Sequence, residues 1–192
     1  MTTFTLLASL FAAVMLTSME AHGQTTNDGR QAVRTATIVL NGDIAKVFPL
    51  FGPIEEKKWA RGWDPQIVAG GASLQDTVFT YAHDGLTATW IVTEWNESEH
   101  RVTYAVFVPN ERAMTIRIVC TPERAPGQAP PQAPPQTKTR ATVTYTFTPL
   151  SETGKASQKQ FEEESFTHRI LHWQKAIDHY FETGTQWEGD SH

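Results

Sequence analysis

Hydrophobic and polar positions change period along this chain, and the changes divide it into elements. From Arg34 to Leu40 the residues alternate, with Ala36, Ile38 and Leu40 on one side and Thr35, Thr37 and Val39 on the other. That is the period of a strand. Thr77 to Tyr81, Thr87 to Trp95, Arg101 to Val108, Met114 to Cys120 and Thr139 to Thr148 read the same way. The last is the cleanest. Ala141, Val143, Tyr145 and Phe147 alternate with Thr142, Thr144, Thr146 and Thr148, which predicts one buried face and a threonine ladder in solvent. Asp84-Gly85 between two such runs is a hairpin signal. The period then becomes helical. Phe166, Ile170, Trp173, Ile177 and Phe181 share one face, predicting a single amphipathic helix from about Ser157 to Thr183. Ser157 and Gln160 fit a capping box, Glu162 to Glu164 suit its positive end, and Gly184 follows as a C′ glycine.

Between the first strand and the rest lies an aromatic-dense stretch. Asp43 is placed to cap a short helix through Phe48, which Pro49 is expected to end. A helical turn is expected over Ile54 to Trp59, and Gly62 and Pro65 break the backbone after it. The stretch fits either a packing lid or a gate over a cavity. Strands joined by tight turns make an antiparallel sheet, and a helix face this apolar needs a large surface to cover it. The expected fold is α+β: a curved antiparallel sheet of about six to seven strands wrapped around one long C-terminal helix, with two short helices after the first strand.

Composition changes this picture little. The 192 residues suffice for one domain with a core. A net charge of −5 with no basic stripe argues against nucleic acid as a partner. The single cysteine, Cys120, lies in an apolar run and reads as a buried small hydrophobe. Residues 1–23 have the look of a signal peptide, with an uncharged apolar run from Phe4 to Leu16 and the small residues Ala21 and Gly23 around His22, although no Lys or Arg precedes the run. The expectation is an exported, periplasmic or secreted protein with no stable membrane span after removal of the signal, or a cytoplasmic one if the segment is not a working signal. Residues 24–32 read as a flexible leader, 33–184 as the domain and 185–192 as a tail. Within the domain, residues 122–136 form a proline-rich insert, with Gln128-Ala129-Pro130-Pro131 nearly repeated at Gln132 to Pro135.

The order of elements, together with particular residues, resembles the START-like superfamily, also called SRPBCC, helix-grip or Bet v 1-like proteins, and within it the polyketide cyclase/dehydrase and lipid-transport group. The residues are Val47-Phe48-Pro49-Leu50-Phe51, Lys58-Trp59, Gly62-Trp63-Asp64-Pro65, Trp90-Ile91-Val92-Thr93-Glu94, the threonine-rich strand and the final helix. The resemblance covers roughly residues 33–184. It implies a cavity between sheet and long helix for a small apolar molecule, and no single reaction.

The candidate chemistry follows from this layout. Trp59, Trp63, Tyr81, Trp90, Tyr104, Tyr145, Phe166, Ile170 and Trp173 are the expected ligand-binding wall, against the alternative that these rings only fill the core. Glu94 shares the parity of Trp90, which makes it a candidate interior acid or base; the alternative is a strand-end acid in water. His168 and His172 stand four apart, after Glu164, as candidate metal ligands, but on the face opposite Phe166 and Ile170. No phosphate loop, nucleophile elbow or paired-cysteine zinc spacing occurs, and no cofactor is expected. Three functions remain: a binder of a small hydrophobic ligand, a cyclase-, dehydratase- or hydrolase-like enzyme acting on an apolar substrate, and an interaction protein using the proline-rich insert with an unknown partner.

Overall fold

The computed structural model describes residues 31–70, 74–123, 138–158 and 161–189. The segments read as signal peptide and leader, apart from its last two residues, and all but the first two residues of the proline-rich insert lie outside them. Strand β1 (Ala32–Leu40) is followed by a short helix α1 (Ile44–Val47) and two 3-10 helices (Phe48–Phe51 and Glu55–Lys58). Strands β2 (Gln66–Ala69), β3 (Val78–His83), β4 (Leu86–Asn96), β5 (Arg101–Val108), β6 (Arg112–Glu123) and β7 (Lys138–Pro149) come next. Helices α2 (Glu152–Gln158) and α3 (Glu163–Thr183) complete the chain. The strands form one sheet in the order β1-β7-β6-β5-β4-β3-β2, and all pairs are antiparallel. One core lies between its inner face and the helices.

Local chemistry sets the elements. On β7, Ala141, Val143, Tyr145 and Phe147 are buried. The alternating threonines face outward, and two pair by hydroxyl with β1: Thr144 with Thr35 at 3.0 Å and Thr142 with Thr37 at 3.3 Å. The ladder is thus cross-strand bonded as well as solvated. Asp84 and Gly85, with φ of 53° and 76°, make the β3–β4 hairpin turn, a backbone that Asp and Gly tolerate. At the end of β1, the Asn41 backbone N–H and side-chain amide donate to the Asp178 carboxylate at 2.8 and 3.1 Å. This clamps α3 to the strand it packs against.

The single C-terminal helix expected from Ser157 is corrected: the segment is two helices. Phe161 lies between them, 5% exposed, against Phe147 (4.7 Å) and Tyr145 (6.1 Å). In an unbroken helix Phe161 would point roughly 140° away from Phe166, off the core. Breaking the helix buries both rings. Ser157 therefore caps nothing; it sits in α2 and donates to the Glu111 carboxylate at 2.7 Å. Its expected capping partner, Gln160, lies outside the described residues. The cap of α2 is Ser151, whose Oγ accepts from Gly154 N at 3.1 Å. Gly184 closes α3 as expected, at φ 73° and with its N–H on Tyr180 O.

Helix α1 is capped by Asp43 and ends at Val47 with Phe48 as its C-cap, directly before Pro49, as expected; the chain then continues as a 3-10 helix with Pro49 in its first turn, where proline's missing N–H costs little. Strand β2 was not foreseen. Its four residues are all exposed and its apolar side chains do not alternate, so it lacks the signal that marks the other strands.

Gly154 is where α2 meets the β5–β6 turn. A Cβ there would stand 1.9 Å from the Glu111 backbone oxygen, so α2 must move if the position carries a side chain. Gly154→Ala is expected to cost about 2 kcal/mol and lower Tm by about 4–8 °C. An unchanged Tm in thermal unfolding would show that the approach is looser.

Candidate functional site

The segment from Asp43 to Asp64 crosses one end of the sheet. Its short helices leave backbone carbonyls that no further turn can satisfy. Three ring side chains reach them. Trp59 Nε1 donates to Leu50 O at 2.8 Å, Trp63 Nε1 donates to Pro53 O at 2.7 Å, and the Tyr104 hydroxyl donates to Phe51 O. Trp59 and Trp63 therefore point inward because their polar tips have partners there.

The residues expected to line a ligand site fall into two ring clusters. Trp63 packs on Tyr81 (4.5 Å), Trp90 (5.3 Å) and Phe79 (5.9 Å), and Trp90 meets Tyr104 at 5.7 Å. Trp173 meets Trp59 at 5.6 Å and Tyr145 at 6.4 Å, and Tyr145 meets Phe166 at 5.2 Å. Ile170 is fully buried beneath them. Phe79 and Tyr104 are closed off, whereas Trp63, Trp90 and Trp173 are only partly buried.

Sequence reasoning missed the residue between the clusters. Glu56 sits in the second 3-10 helix, with its backbone tied to Gly52 O and Ala60 N at 2.9 Å. Its neighbours Lys57 and Lys58 are exposed and pair with Asp64 and Glu55. Glu56 instead turns its carboxyl inward and accepts no hydrogen bond from any described residue, yet the residue keeps some accessible area. Desolvation pushes its pKa up to about 8. No cation opposes the shift, so at neutral pH the group is mainly a neutral acid. Its charge, when formed, is felt by three phenols on three strands. Tyr81, Tyr104 and Tyr145 are all raised, first by burial, and the field of Glu56 contributes to each. A signal existed: Glu56, Trp59, Ala60 and Trp63 fall on one helical face, so an acid shares a face with two indoles. The run Glu55-Glu56-Lys57-Lys58 hid it by reading as a solvated charge cluster.

Glu94 is corrected as an interior candidate. The ladder between β4 and β5 shifts between Val92 and Glu94, so that Val92 opposes Tyr104 while Glu94 opposes Thr103. This bulge turns Glu94 off the inner face. Its carboxylate accepts from Arg101 Nε at 2.7 Å and Thr103 Oγ1 at 3.0 Å, and the Arg101 bond leads in lowering its pKa. His168 and His172 are exposed, and the His172 ring lies on Trp187 at 4.7 Å. Among the described residues no three His, Cys, Asp or Glu side chains are grouped to hold a metal. Cys120 is buried, and desolvation pushes its thiol up to about 12, which leaves it unreactive. A separate concavity of about 490 Å³ lies on the outer sheet face, bordered by Thr89, Ile91, Phe107, Thr115 and Thr146.

A curved antiparallel sheet gripping a long C-terminal helix, with short helices after the first strand, defines the Bet v 1/START-like helix-grip fold, and this chain has it. A protein named XoxI from Bacillus cereus superposes with a TM-score of 0.55 at 18% identity, over 76% of this chain and 95% of its own. The major latex-like protein 151 of Panax ginseng superposes with a TM-score of 0.54 at 14% identity, over 79% of this chain and 97% of its own. No family model and no curated protein matches the sequence. No described helix is long and apolar enough to cross a membrane.

Glu56 makes stability depend on pH. Its pKa is near 4.5 when unfolded and about 8 when folded, so between these values the folded chain holds the extra proton. The stabilisation is complete below about pH 4.5 and is lost as pH rises through about 8. Urea unfolding at pH 5, 6.5 and 8.5 is expected to show this decline, with a shallower one in Glu56→Gln. Parallel declines in the two proteins would place the Glu56 carboxyl in water.

Proposed function

We propose that this chain is an exported binding protein that holds a small, mainly apolar molecule between the sheet and α3. The observation that carries the reading is the ring wall. Trp63, Trp90 and Trp173 face inward from the short-helix segment, the sheet and α3, and none is fully closed off by its neighbours. Aromatic faces left partly uncovered inside a domain suit a flat or lipidic ligand. Export rests on the apolar run within residues 1–23.

A second reading has one observation in its favour. The inward Glu56, with its pKa near 8, has the protonation behaviour of a general acid or base, as an enzyme of the cyclase, dehydratase or hydrolase sort would need. The interaction-protein reading depends on residues 122–136, nearly all outside the described residues, and nothing further supports it.

Native mass spectrometry of protein purified gently from its own host decides between these readings. A stoichiometric apolar mass, released on denaturation, is expected for a binder, together with a mature N-terminus near Gln24. A substrate-and-product mixture would move weight to the enzyme. An empty protein that also takes up no apolar probe would contradict both.

A further inference from the structure

Past Gly184 the chain reverses and runs back along α3. Gly184 takes a φ of 73°, and the residues after it follow the helix surface in order. Thr185 Oγ1 lies 3.3 Å from His179 Nε2, and the Trp187 ring lies 4.7 Å from the His172 ring, with the Lys175 ammonium over it at 5.6 Å. The same few residues also hold the second 3-10 helix and the turn after it. Gln186 Nε2 donates to Lys57 O at 2.6 Å, and the Arg61 guanidinium donates to Glu188 O at 2.7 Å. What the sequence offers as a tail is therefore a strap across the seam between α3 and the short-helix segment. Among the described residues, the other ties of residues 55–63 are local, long or made by rings. The indoles of Trp59 and Trp63 bond to Leu50 O and Pro53 O within the segment, and Tyr104 holds only its start, at Phe51. The Tyr81 hydroxyl stands 3.5 Å from Gly62 O. Trp59 packs on Trp173, and Trp63 on Tyr81 and Trp90.

We propose that residues 184–189 are a releasable strap, which closes the seam between α3 and the second 3-10 helix and, on lifting, lets residues 55–63 swing out and admit a molecule to the space behind them. The gating role rests on the binding reading above; the tie itself does not. The strap is built to come away where its surroundings are not. Gly184, Thr185, Gln186 and Glu188 are exposed and Trp187 is half-buried, so water replaces each hydrogen bond as the strap lifts. Its acceptors are main-chain carbonyls, and Lys57 O lies in the last turn of a 3-10 helix, where water serves as well as an amide. Helix α3 keeps its place without the strap. Phe166, Ile170 and Ile177 are buried in the core, and Asp178 is clamped to Asn41 at the end of β1. Opening therefore costs the strap's own contacts and leaves the sheet and α3 intact.

Hydrogen exchange and probe kinetics on the full chain test this. Two variants break the strap from opposite sides: Gln186→Ala combined with Trp187→Ala, and Arg61→Ala. Backbone exchange over residues 55–63 is expected to rise about tenfold in the first and about threefold in the second, the worth of the contacts removed. Exchange in β5, β6 and β7 is expected to stay as in wild type. Stopped-flow binding of 2-ethylnaphthalene is expected to become faster in both directions by similar factors, with Kd moved by less than about threefold, because the barrier changes and the bound contacts do not. Unchanged exchange over residues 55–63 in both variants overturns the strap and leaves the binding reading standing. A rise shared equally by the sheet also overturns it, since the tail would then support the whole fold. A local rise in exchange with unchanged probe rates overturns the gating role. A local rise in exchange in a protein that takes up no probe overturns the binding reading, and the gate with it.

Discussion

The architecture depends on three ring tips that satisfy three carbonyls. Leu50, Phe51 and Pro53 lie where the first 3-10 helix ends, and their oxygens are taken up by Trp59, Tyr104 and Trp63. A buried carbonyl without a donor costs about as much as a lost hydrogen bond. The rings are themselves apolar surface of the core, so burying them and satisfying the backbone are one event. Two of the donors belong to the segment and one to β5. Their bonds fix how the short-helix segment crosses the sheet end, and hence which way Glu56 points. Without them the charge run from Glu55 to Lys58 would have no reason to present one acid inward.

Most of the fold was legible because strands declare themselves by parity. Ala141, Val143, Tyr145 and Phe147 sit where the alternation places them. The failures have local causes. Phe161 does not share the helical face of Phe166, and the helix gives way so that both are buried. The shift in register between Val92 and Glu94 reverses parity within one strand, and no pattern of hydrophobic residues announces a bulge. Strand β2 is an exposed edge of four residues without alternation. The ring residues were legible as inward-facing. The acid among them was not, because its sequence neighbours are all charged and three of the four charges in that run pair at the surface. Spacing to Trp59 and Trp63 carried the information that composition concealed.

An inward carboxyl without a partner is an unusual feature for a core to keep. Ionised, it would face a desolvation penalty that nothing nearby offsets; neutral, its donor and acceptors still have no partner among the described residues. Apolar replacement would relieve that cost. Trp90 Nε1 is a second polar group here without a partner among the described residues, and it does not titrate. The helix-grip fold alone does not assign a function. The binding reading proposed above rests instead on the partly uncovered rings of Trp63, Trp90 and Trp173.

The most direct test observes the indole protons of the six tryptophans by ¹H–¹⁵N correlation NMR during titration with an apolar aromatic probe such as 2-ethylnaphthalene. Trp59 is closed off and already donates to a carbonyl, and is expected to move little. The Trp63, Trp90 and Trp173 cross-peaks, from rings left partly uncovered, are expected to move as the probe covers them. A Trp90 signal that stays fixed while amides of the outer-face strand residues Thr89, Phe107 and Thr115 shift would place binding outside the sheet and contradict the interior site.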